Sequence, residues 1–305
     1  MRKEPPLPQL SDNHYGKSRV RLVKVVRHGH HHDLHEWSVN VYLTGNFAAC
    51  FLEGDNTGLL ATDTMKNTVY AVARTSTAAT MEDFAIELAT FLSTRNPQAA
   101  SVRIAIEEKT WIRIKARTPS GEVEKHPSAF LQRGPDVHTT SVSLAAGAPP
   151  SVTSGVKGLV ILKTANSAFA GFKRDELTTL PETHDRLFGT EATITWLYST
   201  LLPDYAAPDY AAARTRLMDT LLTAFANHDS LSVQQTLYAM AEAALAAEPA
   251  ISEITLTMPN RHNIPIDFQR FAPPFNHSND NTIFVPIDEP SGHIHARVVR
   301  EPPVP

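Results

Sequence analysis

Polar and apolar residues alternate along two neighbouring stretches near the start of the chain, beginning at Arg19 and at Trp37. A period of two is typical of strands with one buried face, so these stretches are predicted to form a long β-hairpin. Two segments with helical spacing and two further alternating segments follow, at residues 62–74, 80–97, 100–114 and 128–145. The first half therefore runs strand, strand, helix, helix, strand, strand.

The second half of the chain repeats this order. Two strands are predicted at residues 155–167 and 192–202, two helices at 210–227 and 232–250, and two further strands at 251–259 and 293–300. In each half an amphipathic helix passes through a proline-bearing turn into a strand, as duplicated units do. The predicted fold class is α+β, with antiparallel sheets that carry helices on one face. Small residues and prolines at "AAGAPPS" predict two domains, residues 1–148 and 149–305.

The open edges of such sheets favour pairing with other chains. We therefore expect an oligomer in which neighbouring subunits close the sheets into a barrel.

Composition narrows the class of protein. The chain has 305 residues, of which 42% are hydrophobic and 20% are charged, as in compact globular proteins. A net charge of −4 provides no basic field, so we expect no nucleic-acid partner. The single cysteine, Cys50, excludes an intrachain disulfide and favours a reducing compartment, for which we expect the cytoplasm.

Neither end of the chain shows a targeting pattern. The stretch "MRKEPPLPQLSDN" lacks the apolar core of a signal peptide, and no run approaches the ~18 apolar residues of a membrane span. The final "EPPVP" does not match the peroxisomal tripeptide. We expect proline-rich tails and no membrane association.

Histidines are concentrated in "VVRHGHHHDLHEW", between Val25 and Trp37. This stretch holds five of the 14 in the chain: His28, His30, His31, His32 and His35. On a single strand, alternate histidines share a face and could form a three-histidine zinc site. A solvated hairpin tip is the alternative, because Gly29 breaks the strand pattern and Asp33 interrupts the run. The residues alone leave both interpretations open.

The sequence lacks the motifs of several common classes of enzyme, so these classes are excluded. It has no glycine-rich phosphate or dinucleotide loop, no G-x-S-x-G elbow and no H-E-x-x-H helix. What remains are polar residues at the ends of predicted elements, each with an ordinary structural explanation. They are Thr62 and Asp63 as helix caps, Arg186 as a surface charge, Gln234 as a capping or solvated side chain, and Asn260 and His262 as loop residues.

The segments that carry these residues, taken in their order along the chain, resemble the sequence pattern of one family. The segments that carry the resemblance are "YGKSRVRLVKV", "ATDTMKNTVYA", "GLVILKTANSAFAGFKRDELTTLPETHDRL", "LSVQQTLYAMAE" and "TLTMPNRHNIPID". Together they resemble the urate oxidase (uricase) family from about Tyr15 to about Arg300. The resemblance implies tandem tunnelling-fold domains in a homotetramer. It also implies cofactor-free oxidation of urate by O2 and water to 5-hydroxyisourate and H2O2.

The resemblance also assigns residues. The family's catalytic lysine, threonine and histidine correspond to Lys17, Thr62 and His262. Its substrate-binding residues correspond to Thr62, Asp63, Phe169, Arg186, Val233, Gln234 and Asn260. It further implies that each site lies at a subunit interface, where the lysine, threonine and aspartate of one chain face the remaining residues of its neighbour.

The chemistry of urate agrees with these residue types. Urate is a flat anion, which suits the ring of Phe169 and the planar donors of Arg186, while Gln234 can donate and accept along its edge. Removing a further proton requires a base, and Lys17 can act as one only where burial or neighbouring cations make its neutral form available. Thr62 and His262 then relay the proton, and Asn260 holds O2 or water. The electron-rich substrate reduces O2 itself, so no metal or other cofactor is expected.

Alternatives from other classes remain at this point. The same fold carries pterin- and purine-converting enzymes that use zinc or a nucleophilic cysteine, but Cys50 lies in the apolar "FAACFL", as buried structural thiols do. A purine-binding protein without turnover would not require Lys17, Thr62 and His262 together. The chain departs from the family pattern at Leu177, usually tyrosine, and at Pro265, which could displace His262 slightly.

Overall fold

A computed structural model describes residues 9–199 and 208–301, which divide into two units. One unit holds the described residues up to 134 together with 138–153, and the other holds 135–137 together with those from 154 onward. The last part of the strand predicted at 192–202 and most of both predicted tails lie outside the described residues. None of the described helices is both long and apolar enough to cross a membrane.

The first unit contains the six predicted elements in the predicted order, with one short additional helix, α1. Its strands and helices are β1 (Tyr15–His28), β2 (His31–Gly45), α1 (Ala48–Leu52), α2 (Thr62–Thr75), α3 (Met81–Arg95), β3 (Ala99–Arg117) and β4 (Val123–Ala145). The strand order is β1-β2-β3-β4, and β2 is antiparallel to both β1 and β3. Alternate residues of β2 face α3, where Trp37 stacks on Phe84 with ring centroids 4.8 Å apart.

The second unit repeats the arrangement with additional strands. Its elements are β5 (Ser151–Lys163, of which residues 154–163 lie in this unit), β6 (Phe188–Tyr198), α4 (Tyr210–Asn227), α5 (Val233–Ala247), β7 (Ile251–Thr257), β8 (Asn260–Pro265), a 3-10 turn (Phe268–Arg270), β9 (Phe284–Gly292) and β10 (His295–Val299). The main order is β5-β6-β7-β10, and β8 pairs with β6 and β9. Phe188 of β6 packs on Phe225 of α4, with ring centroids 5.2 Å apart. The α+β prediction is confirmed in both units.

The loop interpretation of Asn260 and His262 is wrong. Both lie in β8, where Asn260 pairs with Thr190 of β6 and His262 pairs with Ile287 of β9. Pro259, which has no amide hydrogen, separates β8 from β7. The pairing of β8 with β9 shifts register between Asn260 and His262, and Pro265 is the last residue of β8.

The histidine-rich stretch forms the tip of the β1–β2 hairpin, as one alternative predicted. β1 ends at His28, Gly29 has a φ of +65°, and β2 begins at His31. The turn separates His28 from His32, so the single-strand face required by the zinc alternative does not form. Asp33 instead binds His28, at 3.1 Å between Oδ2 and Nε2. Within residues 9–199 and 208–301, no three His, Cys, Asp or Glu side chains are grouped to hold a metal ion.

Candidate active site

Lys17 lies on β1 where the strand departs from regular pairing. Gly16 beside it packs so closely on β2 that a Cβ atom there would lie 1.8 Å from the carbonyl oxygen of Val41. The register shifts between Lys17 and Val20, and Arg19 adopts a φ of +58°. The Asn40 side chain accepts the Arg19 amide hydrogen at 2.9 Å. A close strand contact and a bulge therefore fix the backbone on both sides of Lys17.

The start of α2 carries Thr62 and Asp63, and neither residue caps the helix. Ala61 is the N-cap and forms no side-chain capping bond, so the capping interpretation is wrong. Both side chains are exposed in this unit. Among the described residues, no group hydrogen-bonds the Thr62 hydroxyl, so this hydroxyl is free to exchange a proton with another partner.

Asp63 is held by its own helix. One carboxylate oxygen accepts a hydrogen bond from Lys66 and the other accepts one from Asn67 at 3.0 Å. The Lys66 bond holds the pKa of Asp63 below its usual value, and the positive charge of Lys17 adds a weaker effect in the same direction. Asp63 and Lys17 therefore interact electrostatically within the first unit, and Lys66 shares the aspartate charge.

In the second unit, backbone bridges join three loop segments. Phe169 and Thr183 exchange two backbone hydrogen bonds of 2.8 and 3.0 Å. Ser167 forms a parallel bridge with Ser230 and accepts the backbone N–H of Arg186 at 2.8 Å. Since Ser230 lies just before α5, these bridges fix the Phe169 and Arg186 segments relative to that helix.

Arg186 lies over Phe169. Its guanidinium carbon is 5.7 Å from the ring centroid, within the range of a cation–π contact. Burial lowers the pKa of Arg186 from its very high ordinary value, which leaves the side chain charged. Its Nε is buried and has no hydrogen-bond partner among the described residues. A half-buried planar cation with an unused donor is suited to a planar anion that supplies acceptors.

The start of α5 exposes Gln234 because the next residue does the capping. The Ser232 hydroxyl accepts the backbone N–H of Gln235 at 3.2 Å, and the Gln235 side chain accepts the N–H of Leu231 at 2.9 Å. This is a variant of the capping box, in which the return bond is made to the residue before the N-cap rather than to the N-cap itself. The capping alternative for Gln234 is thus wrong, and its amide is left exposed beside the buried Val233.

Asn260 and His262 interact on β8. The Asn260 amide nitrogen lies 3.4 Å from Nδ1 of His262. In the tautomer whose Nδ1 carries no proton, Nδ1 accepts this hydrogen bond from the Asn260 amide. The Asn260 Oδ1 atom is buried and has no hydrogen-bond partner among the described residues.

Two groups of residues emerge from this geometry. The first unit presents a half-buried lysine and a free threonine hydroxyl with a nearby carboxylate, which are suited to moving a proton. The second unit presents a ring, a cation and amides, which are suited to binding a flat polar anion. Sequence reasoning missed Ser167, Ser230 and Gln235, whose hydrogen bonds and bridges hold these segments. The capping pair Ser232 and Gln235 was visible as an S-x-x-Q pattern.

The fold and these groups define an α+β protein whose two units carry side chains suited to proton transfer and to binding a planar anion. The family model for uricase matches residues 13–143 and 152–295. The uricase of Arthrobacter globiformis is 38% identical over 292 residues, covering 96% of this chain and 90% of that protein. The uricase of Dictyostelium discoideum is 35% identical, covering 95% and 97%. The chain therefore belongs to the uricase family.

A solved structure agrees with the assignment. The crystal structure of uricase from Arthrobacter globiformis superposes with a TM-score of 0.88 at 36% identity, covering 97% of this chain and 96% of that one. Uricases are urate oxidases, a class of oxidoreductase. The family resemblance inferred from the sequence is thereby confirmed.

Proposed function

We propose that this protein oxidises urate with O2 and water to 5-hydroxyisourate and H2O2, using the residues described above. The observation that carries the proposal is the placement of Arg186 over Phe169 with a buried, unused Nε donor. The phenyl ring offers a face to the flat purine, and the guanidinium offers parallel donors to its oxygen and nitrogen edge. Gln234 and the backbone at Val233 complete the edge contacts, and Asp63 lies beside the proton-transfer residues.

Proton transfer is assigned to Lys17, Thr62 and His262. Lys17 in its neutral form accepts a proton through the Thr62 hydroxyl, which can donate and accept in the same step. The resulting urate dianion gives two electrons to O2 in successive steps. Asn260 holds O2 and then water over the ring. Water adds to the oxidised ring, so that urate, O2 and water balance 5-hydroxyisourate and H2O2.

The substrate supplies the electrons, and we propose that no metal or organic cofactor takes part. The chain's single cysteine, Cys50, is half-buried in α1. It supports a reducing location, for which we propose the cytoplasm.

Assembly is the second part of the proposal. We propose two tunnelling-fold domains, residues 1–148 and 149–305, in a homotetramer. Lys17, Thr62 and Asp63 of one chain then face the ligand-binding residues of a neighbour. Strand residues with large exposed apolar side chains support this arrangement: Val23 is 62% exposed in the first unit, and Val160 and Leu162 are each 50% exposed in the second. Apolar faces of this kind mark surfaces that another chain covers.

One assay tests the activity. Protein treated with chelator is mixed with urate in air-saturated buffer, and urate absorbance, O2 uptake and peroxide are followed together. We expect equal amounts of urate lost, O2 consumed and peroxide formed, with no effect of chelator. Urate binding without turnover would make the chain a purine-binding protein. Activity that vanishes with chelator and returns with zinc would point to a zinc enzyme of the same fold.

A further inference from the structure

Tyr15 connects β1 to the loop that leads into α2. Its hydroxyl accepts the backbone N–H of Leu60 at 2.9 Å. Its ring packs edge-on against Phe47, with centroids 4.9 Å apart. Burial raises the pKa of the Tyr15 phenol, so the hydroxyl stays protonated through the neutral range.

The two ends of this connection lie next to proposed proton-transfer residues. Tyr15 precedes Lys17 by two positions, and the strand is regular between them because the register shift comes after Lys17. Residues two apart on a strand share a face, so Tyr15 and Lys17 are neighbours on one side of β1. At the other end, Leu60 precedes Thr62 by two residues.

No capping bond fixes the start of α2. Its N-cap, Ala61, has no side-chain hydrogen bond, in contrast to α3, where the Thr80 hydroxyl accepts the N–H of Asp83. Helix starts are usually fixed by such caps. At α2 the Tyr15 hydroxyl instead holds the preceding residue from across the unit. Its hydrogen bond ties the backbone near Thr62 to the strand that carries Lys17.

We propose that Tyr15 is a positioning residue for proton transfer between Thr62 and Lys17. Its hydroxyl sets the distance between the start of α2 and β1 and acts on the reaction only through these two residues. The inference rests on the proposed function. A displacement of about 1 Å can cost a well-aligned transfer roughly 10²-fold in rate, so even a small shift of α2 should be measurable.

The test compares Tyr15→Phe with a matched control. Tyr15→Phe retains the ring contact with Phe47 and removes only the hydroxyl. Tyr70→Phe is the control, because the Tyr70 hydroxyl also joins α2 to β1, through the carbonyl oxygen of Arg21 at 3.4 Å, but two turns further along the helix. Circular dichroism and size-exclusion chromatography establish that both variants have the wild-type fold and assembly.

For Tyr15→Phe we expect kcat to fall ~10-fold or more, KM to stay within ~2-fold, and the solvent deuterium isotope effect on kcat to increase, because misaligned proton transfer becomes slower. Tyr70→Phe should match wild type in all three. Equal loss in both variants, a change confined to KM, or a lower kcat with an unchanged isotope effect would each overturn the proposal. Wild-type turnover is measured first, so a protein inactive on urate refutes the proposed function separately.

Discussion

The guanidinium of Arg186 and the ring of Phe169 are held together by backbone rather than by side-chain bonds. Arg186 donates its amide hydrogen to Ser167, two residues before Phe169, and Phe169 stacks on Phe172 with centroids 5.0 Å apart and planes 11° from parallel. The ring and the cation are therefore in place before any ligand binds. Such preorganisation reduces the entropy lost on binding.

The first prediction concerns the shape of this cation. Arg186→Lys keeps a positive charge but loses the planar fork, so KM for urate should rise ~10-fold or more, which corresponds to the loss of one or two charged hydrogen bonds. Arg174→Lys is the matched control, because Arg174 lies 5.5 Å over the adjacent ring of Phe172 but is exposed. Steady-state kinetics on urate make the measurement. Similar KM values for both variants would show that Arg186 does not bind the substrate.

The second prediction separates two adjacent glutamines. Gln234→Ala should raise KM for urate several-fold and leave thermal stability unchanged, because Gln234 makes no capping bond. Gln235→Ala breaks the capping box and should lower the free energy of unfolding by ~0.5–2 kcal/mol with little change in KM. Kinetics and thermal melts of both variants provide the comparison. The reverse pattern would assign substrate contact to Gln235.

The third prediction tests the proposed base. Lys17→Met removes the amine and keeps a side chain of similar length, so kcat should fall ~10²-fold or more while the affinity for the non-reacting analogue xanthine is kept. Lys66→Met is the control, because Lys66 binds Asp63 from the same helix and has no assigned role in proton transfer. Stopped-flow turnover and equilibrium binding give the two values. Turnover close to wild type in Lys17→Met would remove the lysine from the mechanism.

The fourth prediction concerns acid stability. Glu36 accepts hydrogen bonds from Lys109 at 2.7 Å and from Trp111 at 3.1 Å, and the Lys109 bond is the main cause that lowers the pKa of Glu36. Because the pKa of Glu36 is lower in the fold than its ordinary value of 4.5, the ionised carboxylate stabilises the fold at pH values above 4.5. This stabilisation is lost as the pH falls through the lowered pKa of the folded protein.

Glu36→Gln should therefore cost on the order of 1–2 kcal/mol at pH 7 and progressively less below about pH 4. The exposed Glu122→Gln serves as the control. Urea unfolding at a series of pH values and one protein concentration measures both. If the loss of unfolding free energy in Glu36→Gln is the same at pH 3 as at pH 7, the stabilisation by Glu36 does not depend on its charge.

Periodicity predicted the four long helices and the main strands because each carries a buried stripe or face, and it missed the short α1, which has no buried residue. It missed β8 and β9 for a physical reason. Prolines at 259, 265, 286 and 290 interrupt alternation there, and a proline within a run argues against a strand. These strands form nevertheless, because their partners supply the pairing. Such long-range pairing is absent from any local pattern.

The positions of the site residues were predicted through the family resemblance, and their surroundings were not. The bulge after Lys17 places Arg19, a non-glycine residue, at a positive φ, which no residue preference indicates. The bond from Leu60 to Tyr15 joins residues 45 positions apart. Contacts of that kind depend on how helix and strand pack, which local sequence does not encode.

The last prediction tests whether active sites are shared between subunits. Lys17 and Thr62 lie in the first unit, whereas Phe169, Arg186 and Gln234 lie in the second. If each site combines the first unit of one chain with the second unit of a neighbour, a lesion in either unit affects every site of a uniform oligomer. We therefore expect Thr62→Ala and Arg186→Ala each to be nearly inactive when prepared separately.

Mixing the two variants distinguishes the arrangements. After joint unfolding and reassembly, a mixed pair should contain one site with both lesions and one site with neither, so urate oxidation should recover well above that of either parent. The recovery should grow with the fraction of mixed oligomers, which native mass spectrometry measures through a tag on one variant. A mixture of Thr62→Ala with Thr62→Ala,Arg186→Ala is the control and should stay inactive, because every site then lacks Thr62. If mixed oligomers form and activity stays at the parental level, each site is built within one chain and the shared-site proposal is wrong.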